Sequence, residues 1–111
     1  MSRAEDLRRI EAALSAAREI LAGFTAGRVQ HRAKPGGSPV TEADLAIDRA
    51  LRAALPREGE GWLSEETVDL PDRLECRRVW VVDPIDGTQE FVDGVPEWCV
   101  SVGLVEDGRP V

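Results

Sequence analysis

The stretch RRVWVVDPIDGTQEF, residues 77–91, decides the reading. An apolar run over 79–82 meets Asp83, Pro84, Asp86, Gly87 and Thr88. Val and Trp favour a strand, and the flanking Arg and Pro bound it. Pro84 restricts Asp83 to extended geometry, so Asp83 is expected to close the strand with its carboxylate at the C-terminal tip. Ligands commonly bind at such tips. Gly87 permits a sharp backbone path. Thr88 is expected to open a short helix, so that its amide and that of Gly87 face an anion. Carboxylates this close repel each other and lose solvation. A divalent cation is the natural agent to offset that cost.

Upstream, GWLSEE reads as a brief strand through Trp62 and Leu63 that delivers Glu65 and Glu66 at its end. If that end lies beside the end of the 79–83 strand, Glu65 joins Asp83 and Asp86 as a hard oxygen ligand. The carbonyl of Ile85 adds a backbone oxygen. All-oxygen sites suit magnesium or manganese, not zinc. Two such cations about 3.5–4 Å apart would clamp a phosphate and generate a hydroxide from bound water. Thr88 would orient that water, and Glu65 or Glu66 would help take its proton. Taken singly, each motif has a plainer explanation: an acidic surface pair, a helix cap, a turn built from Asp, Pro and Gly. Their order and their position at strand ends favour the joint reading.

Around this centre the chain alternates helices and strands. Leu7, Ile10, Leu14, Ala17, Leu21 and Phe24 recur at steps of three and four, which predicts an amphipathic helix with that face in the core. A polar loop is expected over 28–39, carrying the single histidine, His31, as a solvated residue. Thr41 and Asp44 form a capping-box-like start to a second helix. On it Ala43, Ile47, Leu51 and Ala54 share a face, Asp48 and Arg52 are spaced as an ion pair, and Pro56 ends the run. WCVSVGLVEDGRPV predicts a strand, an Asp107–Gly108 hairpin turn and the start of a partner strand. Val111 falls where that second arm should begin. Residues 1–111 are therefore expected to be the N-terminal, metal-binding portion of a longer domain.

Bulk properties narrow the partners. A net charge of −7 with no basic stripe argues against nucleic acid and against anionic membranes. It does not exclude a phosphorylated small molecule, because cations at carboxylates invert the local field. Cys76 and Cys99 form no C-x-x-C pair and are expected to be buried or half-buried thiols in a reducing compartment. No signal-peptide pattern and no long apolar run is visible, so a cytoplasmic location is the expectation.

The set KPGGSPVTEAD, WLSEE, WVVDPIDGTQEF and PEWCVSVGLVEDGRPV resembles the inositol monophosphatase superfamily of magnesium-dependent, lithium-sensitive phosphatases. The likeness runs from about Lys34 to Val111. It implies an α+β fold, the N-terminal part of the layered α-β-α-β-α sandwich of the inositol monophosphatase/fructose-1,6-bisphosphatase type, incomplete at its C-terminus. By resemblance Glu65, Asp83, the Ile85 carbonyl and Asp86 bind metal, and Glu65, Glu66 and Thr88 serve the nucleophilic water. Gly87 and Thr88 supply phosphate-binding amides. Asp44 helps order the site, and Lys34 matches a lysine in the loop before it. The implied cofactors are roughly two or three magnesium ions, with manganese as a substitute and lithium as an inhibitor. The implied partner is a small phosphorylated metabolite, and the family's habit implies a homodimer.

The family's second, downstream Trp-Asp signature does not occur in this chain. Substrate indications are divided. Gln89-Glu90-Phe91 resembles the 3'(2'),5'-bisphosphate nucleotidases, whereas VDGVPEWCVSVGLVEDG resembles the inositol-type continuation. A reading from another class also stands: a non-catalytic paralogue that binds cations or a partner subunit through an unpaired edge strand. A third is a generic acidic domain with fortuitous motifs.

Overall fold

The computed structural model describes every residue except 1, 30, 34–38, 68 and 70. Lys34 therefore lies outside the described residues. The element order is α1 (Arg3–Leu21), β1 (His31–Ala33), β2 (Pro39–Thr41), α2 (Glu42–Ala54), β3 (Glu60–Ser64), a 3-10 helix (Pro71–Glu75), β4 (Arg78–Asp86), α3 (Thr88–Asp93), β5 (Cys99–Glu106) and β6 (Arg109–Pro110). Strands β3-β4-β5-β6 form one sheet in that order, and β1 pairs with β2 in a small antiparallel ribbon. The β3–β4 pair is parallel; β4–β5 and β5–β6 are antiparallel. No helix among the described residues is long and apolar enough to cross a membrane.

One face of the sheet carries the core. Strand alternation and register align Trp62, Trp80 and Leu104 in one row, and Ser64, Val82 and Val102 in another. Trp62, Trp80, Val82 and Leu104 pack with Ala13 and Ala17 of α1 and with Ala43, Ile47 and Leu51 of α2. Trp80 is fully buried. Leu63, Val79, Val81 and Val105, on the opposite face, are only half-buried.

Helix α1 starts at Ser2, whose hydroxyl accepts the Glu5 amide at 3.1 Å. Its buried positions are Asp6, Arg9, Ala13 and Ala17, a stripe turned away from the expected Leu7 and Leu14. Those two leucines are 55% and 38% exposed. Two causes combine. The small Ala13 and Ala17 let the helix approach its neighbours closely, and countercharges in the sheet draw Asp6 and Arg9 inward. Leu21 and Phe24 do pack against the core.

Helix α2 has the full capping box: the Thr41 hydroxyl accepts the Asp44 amide, and Asp44 Oδ2 accepts the Thr41 amide. Ala43, Ile47 and Leu51 are buried as expected, but Ala54 is exposed and Leu55 takes the next core position. Asp48 and Arg52 do not face each other. Asp48 turns inward to Ser64 and Thr67, while the Arg52 guanidinium lies 5.9 Å from the Trp62 ring centre.

Three further expectations change. His31, exposed, belongs to β1 rather than to a loop, since a three-residue strand shows too few alternations to be read. Cys99 is exposed and Cys76 half-buried; both are free thiols. Strand β4 does not stop at Asp83 but runs through Pro84 to Asp86. Its register against β5 slips there: Asp83 faces Ser101, but Asp86 faces Cys99. Pro84 has no N–H to give the ladder, and its extended geometry lets the strand continue as a bulge.

Candidate active site

Parallel pairing brings the ends of β3 and β4 together. Ser64 stands opposite Val82, so Glu65 leaves its strand beside Asp83. Asp86 follows past the bulge, where its side chain is exposed. Gly87 then caps α3 in the left-handed region, at φ 94°. A Cβ at this position would sit 2.7 Å from the Glu97 carbonyl oxygen, so both the backbone angle and the space demand glycine. Gly87 offers α3 no side-chain cap. Ring packing of Phe91 on Trp98, 4.9 Å apart and nearly perpendicular, holds the returning segment against α3.

Asp44, fully buried, anchors this loop from α2. Its Oδ2 accepts from the Thr41 amide at 2.9 Å and from the Thr41 hydroxyl. Its Oδ1 lies 2.9 Å from Thr88 Oγ1, which is also 2.9 Å from the Ile85 carbonyl oxygen. The Thr88 hydroxyl has one proton for these two acceptors and keeps lone pairs to receive a hydrogen bond.

Asp83 is the electrostatic centre. Burial, and then the charges of Glu65, Asp86, Glu66 and Asp44, push its carboxyl up to about 6. Its Oδ1 is buried with no hydrogen-bond partner among the described residues. A cleft of about 310 Å³ opens beside it, lined by Leu63, Glu65, Val81 and Ser101 among others, on the sheet face away from the helices. Among the described residues no three His, Cys, Asp or Glu side chains form a group able to hold a metal ion as they stand. Glu65, Glu66, Asp83, Asp86 and Asp44 are thus gathered within mutual repulsion but not converged. The donors fit a hard divalent cation: carboxylates, a backbone carbonyl and one orphaned buried oxygen.

Three residues not expected at the site serve this end of the sheet: the Ser64 and Thr67 hydroxyls donate to Asp48. A readable sign existed for Asp48: it lies four residues after Asp44, on the same side of α2 as a buried cap residue.

The sequence profile of the inositol monophosphatase family matches residues 4–111. A histidinol-phosphatase of Mycobacterium tuberculosis is 46% identical over 79 residues, which is 69% of this chain and 30% of that protein. The 3'(2'),5'-bisphosphate nucleotidase CysQ of Aggregatibacter actinomycetemcomitans is 38% identical over 102 residues, 84% of this chain and 36% of that one. A solved inositol monophosphatase from Zymomonas mobilis superposes with a TM-score of 0.74 at 35% identity, covering 100% of this chain and 42% of its own. The chain therefore spans 30–36% of these curated relatives. Its fold is the corresponding part of the inositol monophosphatase fold. With a profile match over nearly its whole length, and the acidic strand ends just described, the chain belongs to the inositol monophosphatase family.

Proposed function

We propose that this chain carries the metal-binding part of a magnesium-dependent phosphomonoesterase acting on a small phosphorylated metabolite. The observation that carries the reading is Asp83 Oδ1: a buried acceptor with no hydrogen-bond partner among the described residues, among four further carboxylates, beside the Gly87 turn. Glu65, Asp83, Asp86 and the Ile85 carbonyl would hold the cation. Bound magnesium supplies an acidified water and withdraws charge from phosphate oxygens. The Thr88 hydroxyl, tied to Asp44 and Ile85, is set to orient that water through its free lone pairs. Glu65 or Glu66 would help take up its proton. The amides of Gly87 and Thr88, at the start of α3, would receive the phosphate.

The substrate reading stays at the class of phosphate monoesters. The relatives are named for histidinol phosphate, bisphosphonucleotides and inositol phosphate. A bisphosphonucleotide is the second reading, favoured by the CysQ likeness and by Gln89-Glu90 after Thr88. Phosphate release from inositol 1-phosphate, adenosine 3',5'-bisphosphate and histidinol phosphate, with and without magnesium, tests both. Magnesium-dependent release from one of them, inhibited by lithium, is expected. A folded protein that gains thermal stability with magnesium but releases no phosphate would overturn the enzymatic reading in favour of a cation-binding module.

A further inference from the structure

We propose that Asp48 is a positioning residue for the acidic pair Glu65-Glu66, acting through Ser64 and Thr67; this rests on the phosphatase reading above. Asp48 is 6% exposed and sits one turn after Asp44 on α2. One of its carboxylate oxygens accepts the Ser64 hydroxyl and the other the Thr67 hydroxyl. Ser64 is the last residue of β3, and its Oγ in turn accepts the Glu66 amide at 3.3 Å. Thr67 Oγ1 accepts the Trp62 indole N–H at 3.1 Å.

The direction of these bonds is consistent throughout. Each hydroxyl gives its proton to Asp48 and takes one from an N–H, so neither rotor is free. Bonds to an ionised carboxylate are the stronger kind. A single side chain thereby pins both ends of the turn 64–67, and the acidic pair lies between the pins. Asp44 does the equivalent for the other loop, with one oxygen on Thr41 and one on Thr88. The two aspartates stand about 6 Å apart along the helix axis, at 1.5 Å per residue. One rigid helix edge therefore sets the separation between the turn bearing Glu65 and the loop bearing Thr88.

The test uses Asp48→Asn and Thr67→Val, with Thr67→Ser as the conservative rescue. Affinity for magnesium alone is measured by titration calorimetry, exchange of the Glu66 amide by NMR, and Tm by calorimetric scan. Loss of the clamp is expected to weaken magnesium binding about 10-fold, as removal of supporting partners does at other metal sites. It should also speed exchange at Glu66 more than in the core strands. Thr67→Ser should restore both. A lowered Tm with unchanged magnesium affinity and no selective exchange at Glu66 would overturn the inference, leaving Asp48 as a packing residue. If Asp48→Asn does not fold, Thr67→Val decides alone, since it keeps the side-chain shape. A wild-type protein that binds no magnesium overturns the phosphatase reading and this inference with it. Wild-type binding matched by both variants overturns this inference alone.

Discussion

The two ends of the parallel β3–β4 pair treat charge in opposite ways. At the N-terminal ends, Glu60, Arg78 and Glu106 lie side by side across three strands. Arg78 donates to Asp6, Glu60 and Glu106, and Arg9 donates to Glu60 while stacking 4.8 Å from the Trp80 ring centre. Every charge there meets its opposite. Hydrogen bonds from Arg78 hold the Asp6 carboxyl below its usual range. Burial alone would push Glu60 up, but bonds from Arg9, Trp80, the Arg57 amide and Arg78 outweigh it and hold it well below. At the C-terminal ends Asp83 is surrounded by charges of its own sign. The first end contributes to stability. The second crowds like charges on Asp83, and it is the end proposed above to take a cation. Paired and crowded charges are thus separated along the five residues of β3.

The contrast can be broken most severely at Arg78. Arg78→Ala removes the buried partner of Asp6, which keeps only the exposed Arg3, and one of the partners of Glu60, which keeps Arg9; it should cost about 3 kcal/mol, read by urea unfolding. Next comes Asp83→Asn. It should lower magnesium-dependent phosphate release by at least about 100-fold, or about 2.7 kcal/mol. In the absence of magnesium the same variant should be more stable than wild type at pH 7, because one repelled charge is gone. Preserved turnover would remove Asp83 from the metal site.

A pH series sharpens the comparison. Asp83 has a raised carboxyl in the folded state, near 6. Its ionisation therefore opposes folding: stability is highest below the unfolded value near 4 and falls as pH rises from about 4 to about 6. Partial exposure reduces this to on the order of 1 kcal/mol. Asp6 and Glu60 have lowered carboxyls, so their contribution is present above the usual carboxylate range and lost as pH falls through their depressed values. Thermal scans without magnesium should show the decline between pH 4 and 6, and Asp83→Asn should abolish it. The smallest effect is expected at Arg77, which is 68% exposed and pairs with the exposed Asp107. Arg77→Ala should move Tm by no more than about 1–2 °C.

What could be read from the sequence was local chemistry. The Val-rich strand, the DGT turn and short helix, the capping box at Thr41 and the Asp107–Gly108 turn each depend on neighbours a few residues away. The meeting of Glu65 with Asp83 was legible only as a condition, that the two strand ends lie side by side; the parallel β3–β4 register meets it. What escaped was set by distant partners. Asp6 turns α1 toward Arg78, 72 residues away, against the leucine pattern of the helix itself. Asp48 abandons the neighbouring Arg52 for hydroxyls 16 and 19 residues on. A buried carboxylate on a helix looks like a surface one until the groups that receive it are known.

The charged end also bears on how the chain folds. Its bonds join Arg3 to Glu106 across 103 residues, and Asp6 and Glu106 each accept from both Arg3 and Arg78. Pairs such as Arg78–Glu106 can form early, but the cluster is complete only when α1 is brought to the sheet, and closing that long loop carries an entropic cost. The first helix is therefore expected to dock late. The site at the opposite end depends on contacts of much shorter span, such as Asp48 to Thr67, so its turns can form while α1 is still free.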